Sequence, residues 1–135
     1  MGAVLMTDDI AAAIQPGEHG TTFGGGPFVA TVALHVLDRL SDGVLLSRVR
    51  ENGEWLRGEI LSMAERTGRI RAVRGIGYIW GIDVNEPAGD VIVRARGLGL
   101  LMVSAGDHTI RLLPPLIASR DDLRAGLALL ETALG

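Results

Sequence analysis

One stretch limits what this 135-residue chain can fold into more than any other: Gly20-Thr21-Thr22-Phe23-Gly24-Gly25-Gly26-Pro27. Glycine gains so much backbone freedom in the unfolded chain that such a run does not sustain a helix or a strand. It stands directly before Val29, Val32, Ala33, Val36, Leu37 and Leu40, whose three-four spacing predicts an amphipathic helix. Pro27 suits the first turn of that helix, where its missing N–H costs nothing. Open amides at a helix start, with threonine hydroxyls beside them, make a seat for phosphate. The same residues also serve a plain chain reversal, with the hydroxyls bonded to local backbone.

Composition narrows the choices. The length suits one domain with a modest core. Aromatics are only 4% of the residues, so aliphatic side chains must supply that core. The net charge of −3 offers no basic field for nucleic acid or anionic lipid, and no apolar run reaches membrane-spanning length. There is no cysteine, hence no disulfide and no thiol chemistry. A cytoplasmic protein is the expectation. All 13 basic residues are arginine; lysine is absent.

Along the chain, Ala3–Met6 reads as a short buried strand and Thr7-Asp8-Asp9 as a capped helix start running to Ile14. Ser41-Asp42-Gly43 breaks the helix that follows the glycine loop. A second long helix is expected from Val44 to Glu65, with Leu45, Val49, Leu56, Ile60 and Met63 on one side and Gly53 as a weak point. Ile70–Val73 and Tyr78–Val84 read as strands around Gly75-Ile76-Gly77, and Val91–Arg96 as a short helix. Leu100–Val103 and Thr109–Leu113 read as a hairpin. Ser119, with Asp122 three residues on, predicts a capping box before a last helix whose Leu123, Leu127, Leu130 and Leu134 face the core. The fold class is therefore α+β: a small, partly antiparallel sheet packed with helices.

Four stretches carry a family resemblance, in order and with matching spacing. They are His19–Pro27 (H-G-T-T-F-G-G-G-P), Val73–Gly77 running into Gly81-Ile82-Asp83, Gly99–Val103, and Ile110-Arg111-Leu112-Leu113-Pro114-Pro115-Leu116. The chain resembles the class III pyridoxal-phosphate aminotransferases, nearest to the acetylornithine branch, from Gly2 to about Leu134. The resemblance begins part-way through the family's sequence. It implies a C-terminal portion of such an enzyme, with residues 1–18 following the cofactor-lysine region and residues 19–135 forming the small C-terminal domain. The implied activity is transfer of an amino group from N-acetylornithine, or a related ω-amino acid, to 2-oxoglutarate, in arginine biosynthesis. The implied cofactor is pyridoxal 5′-phosphate, and the implied partners are a large domain and a second subunit of a homodimer. By the same resemblance Thr22 binds the cofactor phosphate across the dimer, while Thr21 and Arg111 bind substrate. Gly26 departs from the pattern, standing where the family has asparagine. Family members hold the cofactor as a Schiff base on a lysine; this chain has none, so no catalytic residue is assigned in it and the chain alone is expected to be inactive.

Arg111 has an argument of its own. A guanidinium within Ile110-Arg111-Leu112-Leu113 is costly unless paired, and its planar fork matches a carboxylate. An arginine reaching solvent is the plainer reading. Nothing in the spacing gives Arg74 chemistry, and its turn reads as structural. His19, His35 and His108 match no ligand spacing, so no metal is expected. Gly75-Ile76-Gly77 has its third glycine one residue late for a dinucleotide fingerprint, and a phosphate loop of the nucleotide-binding kind needs the missing lysine. Trp55 and Trp80 read as core or interface residues. The reading of another class is a stand-alone, non-catalytic interaction or dimerisation domain that reuses this fold.

Overall fold

The computed structural model describes residues 2–41 and 43–135. The chain divides into two compact units, one up to residue 42 and one over Gly43–Gly135.

The first unit holds α1 (Asp8–Ala13), the glycine loop and α2 (Pro27–Ser41). Thr7 occupies the cap position of α1, but its side chain makes no cap bond. Helix α2 begins on Pro27 as expected and ends at Ser41; Asp42, the middle of the expected break, lies outside the described residues. Two expectations fail here. Ala3–Met6 forms no strand, and Val4 and Leu5 are 81% and 97% exposed. A strand needs a ladder partner, and no other strand exists among the described residues of this unit. The apolar stripe of α2 is present in the helix, yet none of its residues is buried.

The second unit contains α3 (Val44–Thr67), β1 (Ile70–Ile76), β2 (Ile79–Val84), α4 (Ala88–Gly97), β3 (Val103–Ser104), β4 (Thr109–Leu112) and α5 (Arg120–Leu134). Its sheet runs β1-β2-β4-β3, antiparallel throughout. One sheet face carries Trp80, Ile82, Val84 and Ile110 into a core completed by Val49, Leu56, Ile60 and Met63 of α3, Val91 and Ala95 of α4, and Leu123, Leu127, Leu130 and Leu134 of α5. The expected faces of α3 and α5 are thus the buried ones, with Leu45 partly buried. The capping box forms: Ser119 Oγ accepts from the Asp122 amide at 3.1 Å, and Asp122 Oδ2 accepts from the Ser119 amide at 2.9 Å.

The strand ends differ from expectation for definable reasons. Strand β1 continues past Gly75 because Gly75 and Ile76 pair with Trp80 and Ile79 of β2, an approach that a Cβ at Gly75 would block by meeting the Ile79 carbonyl oxygen and the Trp80 ring. Tyr78 lies in the two-residue β1–β2 turn rather than in a strand, behind Gly77 at φ +55°. Its buried hydroxyl accepts from Asn52 Nδ2 at 3.0 Å and donates to the Ala118 carbonyl at 3.1 Å. Strand β3 shrinks to two residues because the Leu100 amide is taken by the Ala95 carbonyl of α4, after Gly99 turns the chain at φ +92°. Gly53 is no weak point. A Cβ there would come within 2.6 Å of the Gly77 carbonyl oxygen, so a glycine is what lets the β1–β2 turn seat against α3.

Candidate functional site

In the first unit, the loop before α2 holds Thr21 and Thr22. Thr21 Oγ1 accepts from the Gly24 amide at 3.2 Å and so closes the turn; Gly24 accommodates its methyl group, which a Cβ would strike. Gly25 sits at φ +76°, and the Gly26 carbonyl accepts the first helical bond, from Ala30 at 2.9 Å. Gly26 therefore stands at the helix entry without a capping side chain. Thr22 is exposed, and its hydroxyl makes no hydrogen bond among the described residues. From Gly20 to Gly26, Gly24 is the one residue whose amide donates to a described group. The other loop amides, with the open amides of the first turn of α2, are bare donors in the same stretch of chain as that hydroxyl. A Cβ built at Gly20, Gly25 or Gly26 would meet no atom within 4 Å, which leaves open space on that side. An anion fits this arrangement: several donors, a free hydroxyl, and the positive end of a helix.

In the second unit, the sheet face turned away from the core carries Arg111. Register puts Arg74 opposite Gly81 and Gly81 opposite Arg111, with Val103 beyond. Arg111 is exposed and has no hydrogen bond or ion pair among the described residues. Of the two readings the sequence left open, a paired guanidinium and an edge-strand arginine reaching solvent, the exposure agrees with the second, because alternation along β4 turns Ile110 inward and Arg111 outward. Strand β4 is nonetheless not an edge strand, since β2 and β3 flank it. Arg111 and Arg74 line one open cavity of about 380 Å³, floored by Gly81 and rimmed by Ile76 and Ile79.

Arg74 is far from idle. Its NH1 lies 2.5 Å from Asp83 Oδ2, and its NH2 donates to Thr109 Oγ1 at 3.2 Å. Thr109, itself buried, donates to Asp83 Oδ1 at 2.6 Å. The Arg74 guanidinium first, and then the Thr109 hydroxyl, hold the Asp83 carboxyl below its ordinary range; Asp83 in turn holds Arg74 protonated. Sequence reasoning missed this trio. The period-two alternation of β2 does place Asp83 on the outer face, but only the register shows that Arg74 and Thr109 meet it there.

The remaining sequence candidates resolve simply. His19, His35 and His108 are exposed, and no group able to hold a metal ion exists among the described residues. His108 Nδ1 lies 2.8 Å from the Glu86 carbonyl oxygen. Trp80 is core, while half-buried Trp55 has the guanidinium carbons of Arg120 and Arg124 at 5.3 and 5.6 Å from its ring centre. No helix among the described residues is long and apolar enough to cross a membrane.

The chain belongs to the aminotransferase class-III family, whose model matches residues 1–134. It is 41% identical to the acetylornithine aminotransferase of Agrobacterium fabrum over 135 aligned residues, covering 98% of this chain and 34% of that protein. The crystal structure of acetylornithine aminotransferase from Elizabethkingia anophelis superimposes with a TM-score of 0.80 at 32% identity, over 96% of this chain and 34% of that one. An ornithine aminotransferase from Toxoplasma gondii, described with partial occupancy of PLP at its active site, gives a TM-score of 0.77 at 25% identity, over 93% and 31%. The chain spans about a third of the length of the curated relatives it matches.

Proposed function

We propose that this chain is the C-terminal portion of a pyridoxal-phosphate aminotransferase. The whole enzyme would transfer the terminal amino group of N-acetylornithine, or a related ω-amino acid, to 2-oxoglutarate. The observation that carries the cofactor reading is the unbonded Thr22 hydroxyl among the bare amides of the loop before α2. Those donors fit a phosphate. They cannot anchor the cofactor covalently, since the chain has no lysine. When bound, pyridoxal phosphate supplies an electron sink for the carbon that carries the amino group.

The roles of this chain's residues follow from their free valences. Thr22 donates its hydroxyl proton to a phosphate oxygen, and the dipole of α2 favours the same charge. The cofactor it serves is that of the second subunit in a homodimer. Thr21 uses its oxygen to accept from Gly24, which leaves its proton to donate toward substrate. Arg111, without a partner of its own, receives a substrate carboxylate through its planar fork. The proton transfers at the reacting carbon fall to a lysine supplied by the large domain. Residues 1–18 connect to that large domain, and residues 19–135 form the small domain. A cytoplasmic location is part of the same reading; relatives described as mitochondrial, such as that of Eremothecium gossypii, place the family in more than one compartment. A family match over nearly the whole chain favours an enzyme part over an independent interaction domain.

The test is a chimera in which this chain replaces the matching third of the Agrobacterium enzyme. Glutamate formation from N-acetylornithine and 2-oxoglutarate is expected, and none from this chain alone. A chimera that folds and binds pyridoxal phosphate but transfers no amino group from any ω-amino acid contradicts the proposal.

A further inference from the structure

The outer sheet face presents two guanidiniums to one cavity, and one carboxylate, Asp83, stands diagonal to both in register, paired with Arg74 and with Arg71 as its further charged neighbour. Asp83 faces Ala72 on one side and Thr109 on the other, so Arg74 and Arg111 are its diagonal neighbours across the two ladders. Gly81, between the two arginines, offers no side chain to separate them. Their Cα atoms stand two strand spacings apart, about 9–10 Å, which is only slightly more than the Debye length of about 8 Å at physiological salt. Left alone, both would attract the same anion.

The side chains break this symmetry. Arg74 lies over Gly81, whose Cβ position is 3.5 Å from Arg74 Cγ and 3.6 Å from its Nε, and reaches Asp83 at 2.5 Å. The Thr109 hydroxyl is used in both senses, donating to Asp83 Oδ1 and accepting from Arg74, while Arg74 holds Asp83 Oδ2, so each carboxylate oxygen already has a partner other than Arg111. Arg111 keeps all its donors free among the described residues. Stability gives little reason for the trio. Arg74 and Asp83 side chains are 59% and 24% exposed, and such pairs contribute little to folding.

We propose that Asp83 is a positioning residue for carboxylate recognition: with Thr109 it takes Arg74 out of the cavity's anion chemistry and leaves Arg111 as the guanidinium that accepts a carboxylate. The cavity is thereby set for one carboxylate rather than two. This inference rests on the carboxylate role given to Arg111 above.

The experiment is a titration of the 135-residue chain with glutarate, followed by the arginine Nε–Hε resonances in NMR. In the wild-type chain the Arg111 signal moves and the Arg74 signal stays. In Asp83→Asn both move, and the apparent dissociation constant falls by about three- to tenfold. In Arg74→Gln the released Asp83 carboxylate turns to its other diagonal neighbour, and the constant rises by about threefold or more. A merely structural role would weaken binding in both variants, so the opposite signs are diagnostic; amide spectra report whether each variant remains folded. If Asp83→Asn does not fold, Arg74→Gln carries the test alone. A responsive Arg111 with unchanged or weaker binding in folded Asp83→Asn, or unchanged or tighter binding in Arg74→Gln, overturns this inference by itself. An Arg111 signal that never responds overturns the carboxylate reading of Arg111 and this inference together.

Discussion

The two units differ in where their information lies. Up to residue 42 the chain has its most telling motif and no buried described residue; from Gly43 on it has weaker motifs and a complete core. In the first unit, the proposed site is written in residue type: glycines open the loop, and a threonine hydroxyl is left without a partner among the described residues. In the second, the proposed site is written in register, since Arg74, Gly81, Asp83, Thr109 and Arg111 converge only once the strands pair. A motif can thus be read without a fold, while a sheet face cannot.

The largest contrast is expected in stability. Leu56 is 0% exposed in the core, and Leu56→Ala should cost about 2–5 kcal/mol. Leu37, 56% exposed on α2, should cost no more than about 0.5 kcal/mol when cut to alanine. Both tryptophans lie in the second unit, so urea unfolding followed by their fluorescence reports that unit. A midpoint moved as far by Leu37→Ala as by Leu56→Ala would erase the distinction.

Next comes Gly53. Alanine there drives a methyl group into the Gly77 backbone, and about 1–3 kcal/mol of the second unit's stability should be lost, against helix propensity, which favours alanine over glycine. A stabilised Gly53→Ala chain would mean that the turn does not seat on α3.

Arg111→Lys in the chimera should reduce kcat/KM for 2-oxoglutarate by roughly 1–3 kcal/mol of binding, because the charge stays while the planar fork is lost. Unchanged kinetics in both half-reactions would remove Arg111 from the site.

The smallest effect is on pH. Asp83 is held down chiefly by Arg74, Asp122 by the Ser119 hydroxyl and Glu131 by Arg66, from ordinary values of 3.8, 3.8 and 4.5. A depressed carboxyl stabilises the fold above its unfolded value and loses that contribution as pH falls through its folded value. The second unit should therefore keep a constant urea midpoint down to about pH 4.5 and weaken below it. A midpoint that is level through pH 3 would show that these three pairs do not report on folding.

Much of the fold was legible in the sequence. The long helices announce themselves through Leu56, Ile60 and Met63, or Leu123, Leu127 and Leu130, because three-four spacing survives whatever packs against it. Ala3–Met6 misled because an apolar run says nothing about whether a ladder partner exists. Gly53 misled because propensity ignores close backbone approach, and β3 because helix α4 claims the Leu100 amide. At the candidate site, Thr21, Thr22 and Arg111 were all visible as residues. What the sequence could not display was which hydroxyl is already occupied, that Arg111 points outward, and that Asp83 pairs with Arg74.

The phosphate contact of Thr22 is tested most directly by equilibrium dialysis of pyridoxal phosphate against the chimera and its Thr22→Val variant, with dimerisation checked in parallel. Valine keeps the volume and removes one hydrogen bond to a charged acceptor, so the dissociation constant should rise by an amount equivalent to about 1.5–3 kcal/mol, with little change in folding. Equal affinity of the two dimeric proteins would contradict the phosphate contact and leave Thr22 a loop residue only.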